Sequence, residues 1–323
     1  MGLFGILASW LGPEPPLEEM LGQAIDHAVQ VVEPAMRAVG GLEHKLAPAA
    51  SHALSYCSDL VAQLAPAVEV NARAFASDPL VHALFGSAEQ IDTMVGRCQP
   101  LRDFLADPGN AFSGECFALL GMRRHEKTVL GLAQQGALIH ADAPRRLLFY
   151  ADHTLRDPAP SEEETRARLK MAAFHSLVVS FADQLQEQRK AREELRYAWD
   201  SERASGAGDL GRDEKDWRLA ALATRMQESA EALAPERIVE ALSAWLLAPD
   251  EKLYLKPYSA RVDSLGVMMP ADSGEGDEIQ CKELMGRDRR HWTLQLVRLN
   301  CEEAREAVAR QAQLEQAMRT LLI

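Results

Sequence analysis

Two Asp–His pairs stand out among the residues that can do chemistry. His140 and Asp142 lie two positions apart, and Asp152–His153 follows ten residues later. An Asp beside a His is the arrangement of a general base and the group that orients it. If the two pairs sit on neighbouring strands, the four side chains converge, and they would also suffice in number for a metal ion. The spacing is not that of a metal site, however, and no serine or cysteine stands in a nucleophile-elbow context, GxSxG being absent. A structural role for these residues, with Asp152 in a turn and His153 partly buried, competes with the catalytic one.

The second constellation is basic. Arg145 and Arg146 follow the first Asp–His pair, and Arg287, Arg289, Arg290 and His291 form the run GRDRRH beside Trp292. Arginine forks suit bidentate recognition of carboxylate or phosphate. These runs matter because the chain as a whole is acidic, with 35 Lys+Arg against 48 Asp+Glu and a formal net charge of −13. Only two stretches are net basic: 121–156, with six basic and three acidic residues, and 281–298, with five and two. A shared basic rim would take a small phosphate-containing ligand or an acidic partner. Internal pairing with the acidic helices is the competing reading. Duplex nucleic acid is not expected at this net charge.

Other chemistries have no support. Walker A, GxGxxG, HExxH, EF-hand and kinase motifs are absent, and no His is preceded at three residues by Glu, as a di-metal bundle requires. The five cysteines, Cys57, Cys98, Cys116, Cys281 and Cys301, include no CxxC. They read as reduced thiols of a cytoplasmic protein. No metal or other cofactor is expected.

The elements that must position these residues are mostly helical. Apolar residues make up 47% of 323 positions and aromatics 6%, a globular composition that favours helix over an all-β barrel. Residues 1–16 form an apolar tip and a proline-rich break. Wound as a helix, Leu3, Phe4, Leu7 and Trp10 leave almost no polar face. That tip must dock on its own body, on a partner or peripherally on a membrane surface. No run of 18 apolar residues indicates a transmembrane helix.

Residues 17–120 read as helices. Ser77-Asp78-Pro79 is a helix start, and Ser87 with Gln90 is a capping box. Residues 121–158 read as a short β-meander, with strands at Thr128–Leu132 and Leu147–Ala151. Ser161–Glu164 then caps a long helix running to about Arg203, apolar first and charged later. After a Gly-rich joint, returning helices complete the segment 159–250, of which about 161–233 reads as a protruding charged hairpin. Residues 251–323 read as a β-hairpin region, in which Trp292, Leu294 and Leu296 alternate with polar residues, and a closing helix from Cys301.

The expected fold is α+β and predominantly helical: a helical body, one small antiparallel sheet built from two separated segments (about 127–156 and 252–299), and the charged hairpin. The expected function is that of a non-catalytic cytosolic interaction or regulatory protein with a protein partner. Its alternatives are a sensor that binds a small anionic ligand at the Arg-rich rim, and a hydrolase or metal enzyme using the Asp–His pairs.

Overall fold

The computed structural model describes residues 17–135, 138–204, 212–270, 272–286 and 291–321. The fold is α+β, and the chain divides into two compact units, each assembled from separated stretches. The first comprises residues up to Cys57 together with Met171–Lys252; the second comprises Ser58–Lys170 and Leu253 onward.

The first unit is helical. α1 (Leu17–Val32) carries its apolar stripe, Ala24, Ile25, Ala28, Val29 and Val32, fully inward. It ends where Pro34 cannot continue the helix and opens a 3₁₀ turn instead, with Glu33 accepting from the Ala35 amide. α2 (Leu42–Ala62) begins in this unit. α7 (Glu162–Ala204) supplies Phe174, Leu177, Val178 and Phe181 to the same core. α9 (Pro235–Leu247) packs Trp245 against Phe181 and donates the Trp245 indole N–H to the Leu177 carbonyl at 3.0 Å. α8 (Arg212–Ala232), between them, has no buried residue among those described.

The second unit is built on one sheet. Its strands are β1 (Val68–Glu69), β2 (Glu115–Gln135), β3 (Leu138–Ala159), β4 (Leu253–Val262), β5 (Met268–Met269), β6 (Asp277–Gly286) and β7 (His291–Asn300). They run in the order β3-β2-β7-β6-β4-β5, antiparallel, with β1 added parallel to β7. The sheet curls until its two edges meet. Leu147 of β3 bridges Val267 just before β5, and the Leu148 amide donates to the Gly266 carbonyl at 2.8 Å.

Helices α3 (Ala72–Ser77), α4 (Pro79–Leu84), α5 (Ala88–Arg97), α6 (Gln99–Ala106) and α10 (Cys301–Leu321) belong to the same unit. Residues of α4, α5, α6 and α10 fill one core with Cys116, Ala118, Leu120 and Met122 of β2 and with Val297 and Leu299 of β7. The opposite face, with Leu294 and Leu296, is covered by Val61, Leu64 and Leu169. Arg166 fixes that cover by donating to the carbonyls of Val61, Leu64 and Ala65, at and just past the end of α2.

The expected small sheet from two segments is therefore corrected. The sheet has seven strands among the described residues, takes β1 from the stretch read as purely helical, and begins at Glu115. The expected meander is one long pair, β2 with β3, of 21 and 22 residues. Beyond Met122, β2 pairs only with β3, so the pair leaves the sheet as a two-stranded ribbon. Its near part still buries Leu148 and Tyr150 of β3, while the facing residues 123–128 of β2 are polar and half-buried or exposed, which is why β2 shows no alternation there. The segment read as 121–158 carries its last strand on to Ala159. Residues 1–16, the joint 205–211 and the turn 287–290 lie outside the described residues.

Candidate functional site

The register of β2 against β3 shows how the site is made. Three times, three steps along β3 answer two along β2. The extra residues fall at Asp157–Pro158, Asp152–His153 and Ala141–Asp142, so each bulge contains an aspartate. Asp152 (φ 55°) and Asp157 (φ 51°) are the only non-glycine residues with left-handed backbone among those described. Asp tolerates that region better than most side chains, and bulges re-aim the residues around them.

The bulge at Asp152 turns His153 inward. The ring stacks on Phe85 with centroids 4.7 Å apart. Its Nε2 lies 2.7 Å from the Leu84 carbonyl, which can only accept, so Nε2 carries the proton and donates. Nδ1 then accepts from Gln90 Nε2 at 3.4 Å. Burial holds the His153 pKa below the usual imidazole range. The ring is thus a neutral imidazole with both nitrogens engaged.

A groove of about 410 Å³ opens beside it, between β3 and the corner where α5 meets α6. Met94, Pro100 and Leu155 give it apolar walls; Gln90, Thr93 and Gln99 add neutral polar groups. Arg97 and Arg156 bring positive charge, and neither forms an ion pair among the described residues. Asp152 is at the edge, 3.6 Å from Arg123 Nε. Cys98, at the corner, directs its thiol to the Leu155 carbonyl at 3.6 Å. Burial pushes that thiol's pKa up, against the pull of Arg156 and Arg102.

The expected residues are only partly brought together. Asp152 and His153 line the groove, but His140 and Asp142 lie farther out on the same strand, not on a neighbouring one. Ten residues of strand separate Asp142 from Asp152, about 33 Å at the rise of an extended chain. The four-residue cluster is therefore not formed; the side chains of His140 and Asp142 lie outside those described.

Arg145 and Arg146 stand on the ribbon opposite Val129 and Thr128. Arg146 is bound to Glu126, which also binds Arg124. Arg287, Arg289 and Arg290 lie outside the described residues, and His291 opens β7, exposed and opposite Met285. The groove residues that sequence reasoning missed are Arg97, Cys98 and Arg156. The signal for Arg97 and Cys98 was their place at a helix junction ahead of Pro100.

Among the described residues, no three His, Cys, Asp or Glu side chains are grouped as a metal site would need. No helix among them is long and apolar enough to cross a membrane.

The fold and groove together define an α+β protein whose curled antiparallel sheet carries an arginine-flanked groove beside its edge strand. No family model, curated protein or solved structure matches the chain.

Proposed function

We propose that this chain is a non-catalytic regulatory protein that holds a small anionic ligand, a phosphate ester or a carboxylate, in the groove beside His153. One observation carries the reading: Arg97 and Arg156 line the same groove and neither is within ion-pair distance of a carboxylate among the described residues, Asp157 acting on Arg156 only over a longer range. Acidic residues outnumber basic ones in this chain, and neighbouring arginines are neutralised: Arg102 by Glu315, Arg123 by Asp152 and Arg124 by Glu283. Two guanidinium forks beside apolar walls suit an anion with a small organic body. The engaged nitrogens of His153 support a reading without catalysis, since a general base needs a free one.

The test is calorimetric titration with inorganic phosphate, a nucleoside monophosphate and a dicarboxylate. Arg156→Ala and Arg97→Ala are each expected to weaken the best binder at least tenfold, and binding is expected to weaken with salt. Binding unchanged in both variants, or no binding by any of the three, would overturn the proposal.

The exposed aromatics of α7 and α8 support the protein-partner part of this reading. Tyr197 on α7 and Trp217 on α8 are 73% and 71% exposed, and large aromatics are enriched at interfaces. Replacing both with Ser is expected to leave anion binding intact and to abolish any self-association seen by light scattering.

A further inference from the structure

We infer, resting on the anion-binding reading above, that the groove takes up its anion together with one proton, which enters at His153 Nδ1 and parts that ring from Gln90.

The first observation is a row of hydrogen bonds whose direction is fixed at both ends. The Gly86 amide can only donate, and it donates to Gln90 Oε1 at 2.7 Å. The Gln90 side chain therefore turns Nε2, a donor, towards His153 Nδ1 at 3.4 Å. At the far end the Leu84 carbonyl can only accept, and His153 Nε2 donates to it at 2.7 Å. The row holds one proton on the ring and has no place for a second. A proton at Nδ1 sets N–H against N–H, so the bond from Gln90 breaks while those at Leu84 and Gly86 stay.

The second observation is the place of that bond. His153 and Gln90 both line the groove, whereas Leu84, Phe85 and Gly86 do not. Phe85 stacks on the ring and Leu84 takes its Nε2, so Nδ1 is the ring nitrogen on the groove side. One proton, drawn from water, makes the ring an imidazolium and frees Gln90 Nε2 as a donor. Both changes favour an anion bound alongside.

The third observation is the charge around the ring. Asp152 is the one carboxylate lining the groove, and it is shared with Arg123 of β2, 3.6 Å away. Arg97 of α5 and Arg156 of β3 bring two positive charges, while Gln99 and Pro100 of α6 bring none. Burial keeps the Cys98 thiol protonated and holds the His153 ring neutral. An anion adds the negative charge that an imidazolium needs beside it, so proton and anion each tighten the other's binding. Asp157, next to Arg156, has its pKa raised by burial and also titrates on the acid side, so the test must separate it from His153.

Sulfate is the probe, because its charge does not change between pH 8 and pH 5. Calorimetry in two buffers of different ionisation heat counts the protons taken up, and the His153 ring resonance in NMR shows where they go. Sulfate is expected to bind at least fivefold tighter at pH 5.5 than at pH 7.5, with proton uptake, and to move the His153 titration to higher pH. Gln90→Ala removes the opposing donor, so in that variant the titration is expected to lie higher even without sulfate. His153→Gln is expected to flatten the dependence of affinity on pH. Should it fail to fold, the titration of the parent with and without sulfate decides. Sulfate binding without proton uptake, a His153 titration unmoved by sulfate or by Gln90→Ala, or a pH dependence kept in His153→Gln would each overturn the inference and leave the anion-binding reading standing. Sulfate bound at no pH would overturn the inference, and, with the three anions above also unbound, that reading as well.

Discussion

Asp152 holds a backbone conformation that costs most L-residues about 1–2 kcal/mol. It sits there because the bulge must point His153 at the Leu84 carbonyl while the strand continues to Ala159. Asp152→Gly is therefore expected to leave stability within about 0.5 kcal/mol of the parent, since glycine enters this region freely and the ion pair it loses is exposed. Asp152→Val is expected to lose about 1–2 kcal/mol, because a branched Cβ is worst placed at positive φ. Urea unfolding of the two variants checks this, and equal losses would show that the side chain, not the backbone, matters. At this scale the sequence was half legible. An Asp–His pair announces itself by type, so Asp152 and His153 could be singled out. The pairing of His153 with Gln90 and the approach of Arg97 to Arg156 join positions some sixty residues apart. No local pattern encodes such a meeting.

The elements were legible where their ends carry chemistry. The Asp78 side chain accepts from the amides of Leu80 and Val81 ahead of Pro79, and Ser161 Oγ accepts from the Glu164 amide, as the capping residues imply. Strand lengths were not legible, because the polar run 123–128 on β2 hides the alternation that buried Leu148 and Tyr150 keep on β3, and a β-bulge breaks whatever alternation exists. The way elements approach one another is also hidden. Gly96 of α5 is fully packed against α10, and an added Cβ would lie 2.8 Å from the Ala307 carbonyl oxygen and 2.9 Å from Gln311 Cβ. Both obstacles are backbone or near-backbone, so a rotamer change cannot relieve them. Gly96→Ala is expected to destabilise the protein by about 1–3 kcal/mol, although alanine is the better helix former at an unhindered position. A rise in the urea midpoint would mean that the two helices part more easily than their packing implies.

Over the whole molecule, composition and patterning fixed the α+β class, but not the interleaving of two units along the chain, because nothing local marks where a chain leaves one core and returns to it. Acid sensitivity belongs to this scale, because three histidines in two separate units push it the same way. His27 and His175 share a hydrogen bond of 2.8 Å between α1 and α7, and His153 is engaged in the sheet unit. Burial lowers all three pKa values, and at His27 the neighbouring His175 lowers it further. The unfolded chain therefore binds more protons than the folded one once pH falls below about 6.5. Stability is unaffected by these groups above that value and declines below it. Asp157 works the other way. Burial raises its pKa, so just above the ordinary carboxylate range the folded state holds the extra proton and gains stability as pH falls. The midpoint of urea unfolding is expected to drop from pH 7 to pH 5 and to fall less steeply towards pH 4. His27→Gln with His175→Gln removes the shared titration, so the double variant is expected to lose most of the slope contributed by the helical unit and to leave that from His153. A slope unchanged in the double variant would mean that water reaches the pair and that burial is not what holds it neutral.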